Sequence, residues 1–166
     1  VLPNNSNIIL AANQAKELTT DKNIVVIPTK TVPQGITAII NYVHDKTTEE
    51  NEARMTAEMN KVRSGQVTYA VRDTSVDGME IKQGDIMGMN EKTILSTGSD
   101  ISETTYELVS SLVADESELI TLYYGEEIIE DAANTLADRV REKFPEVEVE
   151  VHYGGQPIYY YVLSIE

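Results

Sequence analysis

Residues 118–153 read ELITLYYGEEIIEDAANTLADRVREKFPEVEVEVHY, and this stretch decides the fold. It begins with an apolar run, Glu118–Tyr124, that is typical of a buried strand and ends at Gly125. A helix is predicted over 128–144, because Pro145 disfavours helical backbone in the residue before it. Alternating valine and glutamate then predict a two-faced strand over 146–151. Strand, helix and strand in this order indicate an α/β protein.

Upstream of this stretch the apolar period is strand-like over short segments separated by turn residues. A polar helix is predicted over 49–63, ending near Ser64-Gly65 as a glycine terminator would require. A β-meander follows, with strands at 67–71, 79–81, 86–89 and 93–95 and turns at Asp77-Gly78, Gly84-Asp85 and Asn90-Glu91. A helix capped near Ser102 precedes the deciding stretch, and a closing strand is predicted over 158–165.

The N-terminal part has the pattern of half a Rossmann-like unit. Val1-Leu2-Pro3 has the character of a strand end, and the Asn4–Asn7 cluster predicts the N-cap of a helix over 8–18. The apolar run 23–28 predicts a strand buried in a parallel sheet, and Pro33 suits the first turn of the next helix. We therefore expect two α/β subdomains, 1–45 and 46–166. The opening strands of the first would lie upstream, and the second would hold a mixed sheet with a β-meander and flanking helices.

The formal charge of −15 is concentrated in the C-terminal part of the sequence. Residues 1–92 carry 12 acidic and 10 basic side chains, whereas residues 93–166 carry 16 acidic and three basic ones. Such a surface repels phosphate backbones and anionic lipid headgroups, so nucleic acid and membrane surfaces are disfavoured as partners. A basic protein face is the partner that this charge favours.

Ten carboxylates from the acidic part are candidates for a partner-binding face. Acidic side chains in a first helical turn also stabilise the helix and keep a protein soluble, so capping and solubility are the alternative explanation. An acidic docking face would instead steer and orient a cationic partner. The candidates are Asp115, Glu116, Glu118, Glu126, Glu127, Glu130, Asp131, Glu146, Glu148 and Glu150.

Sequence motifs for catalysis are missing from this chain. It has no cysteine and two histidines, and it contains no Walker A, GxGxxG, GxSxG, HExxH or EF-hand pattern. Neither a metal site nor a catalytic site is therefore expected. No apolar run approaches the ~20 residues that a transmembrane helix needs, and a soluble cytoplasmic protein is expected.

Two polar loops follow predicted strands and could bind an anion. Thr29, Lys30 and Thr31 offer two hydroxyls and an ammonium as donors, although the hydroxyls could instead cap the helix that begins at Pro33. His152 precedes the turn at Gly154 and Gly155 and could donate to a carboxylate, or serve only in the turn. Tyr159-Tyr160-Tyr161 fits an aromatic rim at an interface as well as ordinary strand preference.

Several stretches together resemble the C-terminal region of the large, dihydroxyacetone-kinase-like subunit of bacterial fatty acid kinase. They are VLPNNSNIILAANQA, IPTKTVPQGITAI, GQVTYAVRDT, DGMEIKQGDIMG and EVEVEVHYGGQPIYYYVLSIE. The resemblance runs over essentially the whole chain. It implies a fold similar to the fatty-acid-binding subunit of the DegV type, in two related subdomains.

The resemblance also implies a function without catalysis by this chain. In the family, the nucleotide and magnesium site lies in an N-terminal kinase domain, and this region docks the basic, acyl-loaded subunit through an acidic groove. Acyl-phosphate formation for phospholipid synthesis would then take place elsewhere in the kinase chain. The loops around Thr29–Thr31 and His152–Gly155 occupy places similar to the carboxylate-binding loops of DegV-type proteins. The alternative is therefore a module that binds fatty acid itself, which would need an enclosed apolar tunnel.

Overall fold

A computed structural model describes residues 1–76 and 79–166, and the chain divides into two units, Val1–Val62 and Arg63–Glu166. The sequence placed the boundary after residue 45 instead. Helix α3, Thr48–Met59, belongs to the first unit because the buried Asn51 holds it there. The Asn51 side chain accepts from the Val43 amide at 2.8 Å and donates to the Val43 carbonyl at 2.9 Å. The first unit therefore extends past the predicted boundary.

Two extended segments of the first unit are hydrogen-bonded as parallel strands are. The Val1 ammonium donates to the Val25 carbonyl at 2.7 Å, and the Ile27 amide donates to the Val1 carbonyl at 3.0 Å. One residue thus bonds to both neighbours of its partner, Val26, which is the parallel pattern. Helix α1, Ser6–Leu18, joins the two segments. The predicted strand over 23–28 does not form as a regular strand, because its parallel pairing extends over one residue only.

The helices of the first unit begin at side chains that cap them. Asn5 accepts from the Asn7 amide at 2.9 Å at the start of α1, which confirms the predicted Asn/Ser cap. Thr31 accepts from the Gln34 amide at the start of α2, Val32–Ile40, with Pro33 in the first turn. Thr47 and Glu50 form a reciprocal capping box on α3. These bonds satisfy amides that have no partner within their own helix.

The second unit is built on a six-stranded mixed sheet. The strand order is β5-β4-β1-β8-β6-β7; β6 and β7 pair in parallel and the other neighbours antiparallel, while β2 and β3 form a separate two-stranded sheet. The strands are β1 Arg63–Tyr69, β2 Thr74–Val76, β3 Met79–Ile81, β4 Ile86–Met89, β5 Ile94–Gly98, β6 Leu119–Tyr124, β7 Glu148–Tyr153 and β8 Tyr161–Ile165.

Helices α4, Ile101–Leu112, and α5, Glu130–Lys143, pack on the sheet and form the core of the second unit with it. Helix α5 connects the parallel strands β6 and β7, so the deciding stretch folds as predicted. The cap of α4 is Asp100, two residues before the predicted Ser102. The fully buried core side chains include Val67, Leu108, Val109, Ile120, Leu122, Leu136, Val140 and Leu163.

Three predictions about the region before α4 need correction or fall outside the description. Ser64-Gly65 does not end a helix: α3 ends at Met59, and both residues lie in β1. A Cβ at Gly65 would lie 2.8 Å from Leu112 Cδ1, so the glycine is needed for close packing of α4 on the sheet. The predicted meander is interrupted, because β2 and β3 pair with each other. The predicted turn at Asp77-Gly78 lies outside the described residues.

Candidate functional site

The two units differ strongly in net charge. Residues 63–166 carry 21 acidic and seven basic side chains, a net of −14, against seven acidic and six basic in residues 1–62. Two basic side chains on α5 form ion pairs within the second unit. Arg139 bridges Glu103 at 2.9 Å, and Arg141 bridges Asp138 at 2.8 Å. Almost the whole excess of negative charge therefore belongs to the second unit.

All ten candidate carboxylates are exposed, and they fall into three groups on the second unit. Asp115, Glu116, Glu118 and Glu146 lie before β6 and β7; Glu126, Glu127, Glu130 and Asp131 follow the carboxyl end of β6; Glu148 and Glu150 lie on β7. Glu116 pairs with Arg63, and Glu150 lies 3.1 Å from His152 Nε2. The Glu116 backbone amide and Arg63 hold the pKa of the Glu116 carboxyl below its usual range.

The turn that carries the group after β6 is hydrogen-bonded to the 154–160 loop. The Gly125 amide donates to the Tyr160 carbonyl at 2.9 Å, and the Glu126 amide donates to the Gln156 carbonyl at 3.2 Å. Gln156 Nε2 donates back to the Tyr123 carbonyl at 2.9 Å. These bonds fasten the 154–160 loop to the carboxyl end of β6. In α/β sheets this is the end where parallel strands present functional loops.

Six of the nine tyrosines gather at this end of the sheet. Cross-strand register puts Tyr124 beside both Tyr161 and Tyr153. The Tyr124 and Tyr153 ring centroids are 5.3 Å apart, and those of Tyr69 and Tyr160 are 6.2 Å apart. These separations are typical of interacting aromatic pairs. We call Tyr69, Tyr124, Tyr153, Tyr159, Tyr160 and Tyr161 the tyrosine cluster.

Acidic side chains that follow β6 raise the pKa of one tyrosine in each of the two ring pairs, Tyr124–Tyr153 and Tyr69–Tyr160. Burial raises the pKa of Tyr124, and the charge of Glu130 raises it further. Burial likewise raises the pKa of Tyr160, with Glu127 adding to the effect. Within residues 1–76 and 79–166, Glu126, Glu127 and Glu130 form no ion pair. The tyrosine cluster is therefore accompanied by carboxylates that form no ion pair in the described part of the chain.

The loop that precedes β8 contains a strained residue. Ile158 has a φ of 72°, a left-handed conformation that is an outlier for a β-branched side chain, and such a residue costs of order 1–3 kcal/mol. Its carbonyl accepts from Thr68 Oγ1 at 2.9 Å, which holds it in place. As a result β8 begins at Tyr161, and the predicted strand over 158–160 is a loop.

The two loops predicted to bind an anion lie in different units. Thr29 Oγ1 donates to Asn4 Oδ1 at 2.8 Å and accepts from the Asn4 amide, while the Thr31 hydroxyl caps α2. The Lys30 amide donates to Gln34 Oε1 at 2.8 Å. His152 lies in β7, which ends one residue later, before the turn in which Gly155 has a φ of 64°. The threonine hydroxyls thus have the capping and anchoring roles that were the alternative to ligand binding.

The buried phenol of Tyr161 makes stability depend on pH at the alkaline end. Burial raises its pKa to about 12, against about 10 in an unfolded chain. Since only the unfolded state ionises readily, the contribution of Tyr161 to stability is constant below about pH 10 and falls by about 3 kcal/mol by about pH 12. Urea unfolding between pH 8 and pH 11 measures the fall in the free energy of unfolding. We expect the Tyr161→Phe variant to lose less stability over this range than the parent. An equal loss in the parent and the phenylalanine variant would contradict the assignment.

Comparison with known proteins agrees with the fold and decides the family. The family of FakA-like C-terminal regions of fatty acid kinase matches residues 1–166. The chain belongs to this family. It is 47% identical over 166 residues to an uncharacterized protein of Staphylococcus aureus strain MRSA252, covering 100% of this chain and 30% of that relative. The chain therefore spans less than a third of the length of this staphylococcal relative.

Solved structures of DegV-family proteins share the fold of this family member. A DegV family protein from Corynebacterium glutamicum matches with a TM-score of 0.62 at 13% identity, covering 97% of this chain and 72% of that chain. The Streptococcus pneumoniae fatty acid kinase B3 protein, loaded with linoleic acid, matches with a TM-score of 0.56 at 18% identity, covering 95% and 64%. These likenesses confirm the predicted DegV-like α/β fold. In the described residues, the helices are too short or too polar to cross a membrane.

Proposed function

We propose that this chain is the non-catalytic docking domain of a cytoplasmic fatty acid kinase. In this proposal its acidic second unit binds the basic, acyl-loaded fatty-acid-binding subunit, which is thereby brought to the kinase active site. Acyl-phosphate formation there would supply phospholipid synthesis. The observation that carries the proposal is the net charge of −14 on residues 63–166, with all ten candidate carboxylates exposed.

A concentrated negative surface acts mainly on encounter and orientation. It accelerates the association of a cationic protein and repels anionic competitors. A partner with a basic face would therefore approach this unit in a restricted set of orientations. Membership of the FakA-like C-terminal family supports a partner from the fatty acid kinase system.

The proposal places the nucleotide–magnesium site of the kinase outside this chain. In the described part of the chain, no three His, Asp or Glu side chains are grouped so that they could hold a metal ion. The sequence also lacks a glycine-rich phosphate loop. The proposal therefore assigns ATP and magnesium to other domains of the kinase and gives this chain the role of positioning the partner.

The alternative, a module that binds fatty acid itself, has weaker support. The DegV-type neighbours include a protein loaded with fatty acid, but at 18% identity that likeness concerns the fold. The Thr29 and Thr31 hydroxyls, which would be the carboxylate donors, are bonded to Asn4 and to the start of α2. Docking is therefore the function that the charges and contacts favour.

Sedimentation velocity of this chain mixed with the acyl-loaded subunit tests the proposal. In low salt we expect a faster boundary that contains both proteins, because opposite charges on the two surfaces attract across about one Debye length. A mixture with an acidic protein of similar mass serves as the control and should sediment as separate species. Separate boundaries for this chain and its partner in low salt would overturn the docking role.

A further inference from the structure

The tyrosine cluster has two buried members, Tyr124 and Tyr161, and its other members and the following loop present apolar side chains at the carboxyl ends of β6 and β7. Tyr153 is 66% exposed, Ile158 is 56% exposed, and Ile129 at the start of α5 is 70% exposed. Single exposed apolar side chains are ordinary, but a group at one end of a sheet is typical of an interaction site. Tyrosine in particular is enriched among the residues that dominate binding energy.

This surface is already held in one conformation by the backbone. The bonds from Gly125 to Tyr160, from Glu126 to Gln156 and from Gly154 to Tyr124 join the β6 turn to the loop. The Tyr153 ring packs against the Tyr124 ring on one side. A preformed surface loses little conformational entropy when a partner binds, so its contacts contribute more of their energy to affinity.

The charge around the tyrosine cluster indicates which side chain a partner would place on it. The exposed Glu127 and Glu130 raise the pKa of Tyr160 and Tyr124 respectively, so these carboxylates lie within electrostatic range of the two ring pairs. Arginine suits both groups, because its planar guanidinium stacks on an aromatic ring and also pairs with a carboxylate. Lysine offers a point charge without the planar stacking surface.

We propose that the tyrosine cluster, with Ile158, Glu126 and Glu127, is the surface on which an arginine-bearing face of the fatty-acid-binding subunit docks. This inference rests on the proposed docking function and gives it a location. It selects one of the three carboxylate groups, the one after β6, and assigns most of the contact to aromatic side chains.

Calorimetric titration of three variants with the acyl-loaded subunit tests the location. Tyr153→Ala and Glu127→Lys should each weaken binding about tenfold or more, as central contacts do. Ile158→Gly should weaken binding while raising the urea midpoint of this chain, because glycine adopts a positive φ without steric cost. A loss of affinity in a more stable protein cannot come from unfolding.

Glu142→Lys is the matched control for Glu127→Lys. It makes the same change of charge at an exposed position near the other end of α5, about 18 Å from Glu130 at 1.5 Å per residue. We expect it to change affinity by no more than about twofold, through weaker long-range attraction. If the parent binds and all three surface variants bind as the control does, the location is wrong and the docking function stands. If the parent does not bind in low salt, both proposals are overturned.

Discussion

A Gly125→Ala variant is expected to lose about 3 kcal/mol of stability. A Cβ at this position would collide with the Tyr159 carbonyl oxygen and would lie 2.7 Å from the Gln156 carbonyl oxygen. Both are backbone atoms of the loop that holds the tyrosine cluster, so the loop must move away from β6. The bonds from Gly125 to Tyr160 and from Glu126 to Gln156 would then break or lengthen. Urea unfolding followed by far-ultraviolet circular dichroism measures the loss.

Gly84→Ala provides the comparison for this effect. Gly84 has a φ of 92° and no atom within 4 Å of its Cβ position, so its substitution carries backbone strain without a collision. A cost of about 1 kcal/mol is expected there. If Gly125→Ala were no more destabilising than Gly84→Ala, the close approach of the 154–160 loop to β6 would be refuted.

Leu163→Ala should cost about 2–5 kcal/mol, since it leaves a cavity in the centre of the second unit. Leu163 is fully buried on β8, between Gly65 of β1 and Leu122 of β6. Its Cδ1 atom lies 3.1 Å from the position of a Cβ at Gly65, so neighbouring backbone packs tightly around it. The midpoint of urea unfolding is again the measurement.

Val162→Ala is the control on the same strand. Val162 is half-buried and adjacent in sequence, so its side chain points to the opposite face of the sheet. A loss of about 1 kcal/mol is expected because less apolar surface leaves contact with protein. Equal losses for the two variants would contradict the placement of the core on the α4–α5 side.

The parts of the fold that the sequence predicted are those with strong local signals. The apolar run before Gly125, the helix before Pro145 and the valine–glutamate alternation together define β6, α5 and β7. Each signal extends over one element and is bounded by a turn or helix-breaking residue. Local preference and tertiary packing agree in this stretch, so its structure could be predicted from the residues alone.

The errors lie where packing between distant segments overrides a local signal. Gly65 has the form of a helix terminator, but it lies in β1 because the leucines of α4 and β8 crowd the space where a Cβ would be. The sequence of helix α3 is compatible with either unit. The hydrogen bonds between Asn51 and Val43 hold this helix in the first unit. Neither contact has a signature in the local sequence.

The candidate surface was predicted only in part for the same reason. The carboxylates were recognised because acidic residues are grouped along the chain, and Tyr159–Tyr161 because they are consecutive. Tyr69, Tyr124 and Tyr153 were missed as partners, since they meet only through the pairing order β1-β8-β6-β7. That order also separates the ten carboxylates into three groups, which sequence proximity could not reveal.

The affinity of this chain for the acyl-loaded fatty-acid-binding subunit, titrated at about 50 mM and about 500 mM salt, tests the central claim most directly. Docking through the acidic second unit predicts measurable binding at the lower concentration and an affinity at least about tenfold weaker at the higher one. An affinity that does not change with salt, or the absence of heat at both concentrations, would contradict the account.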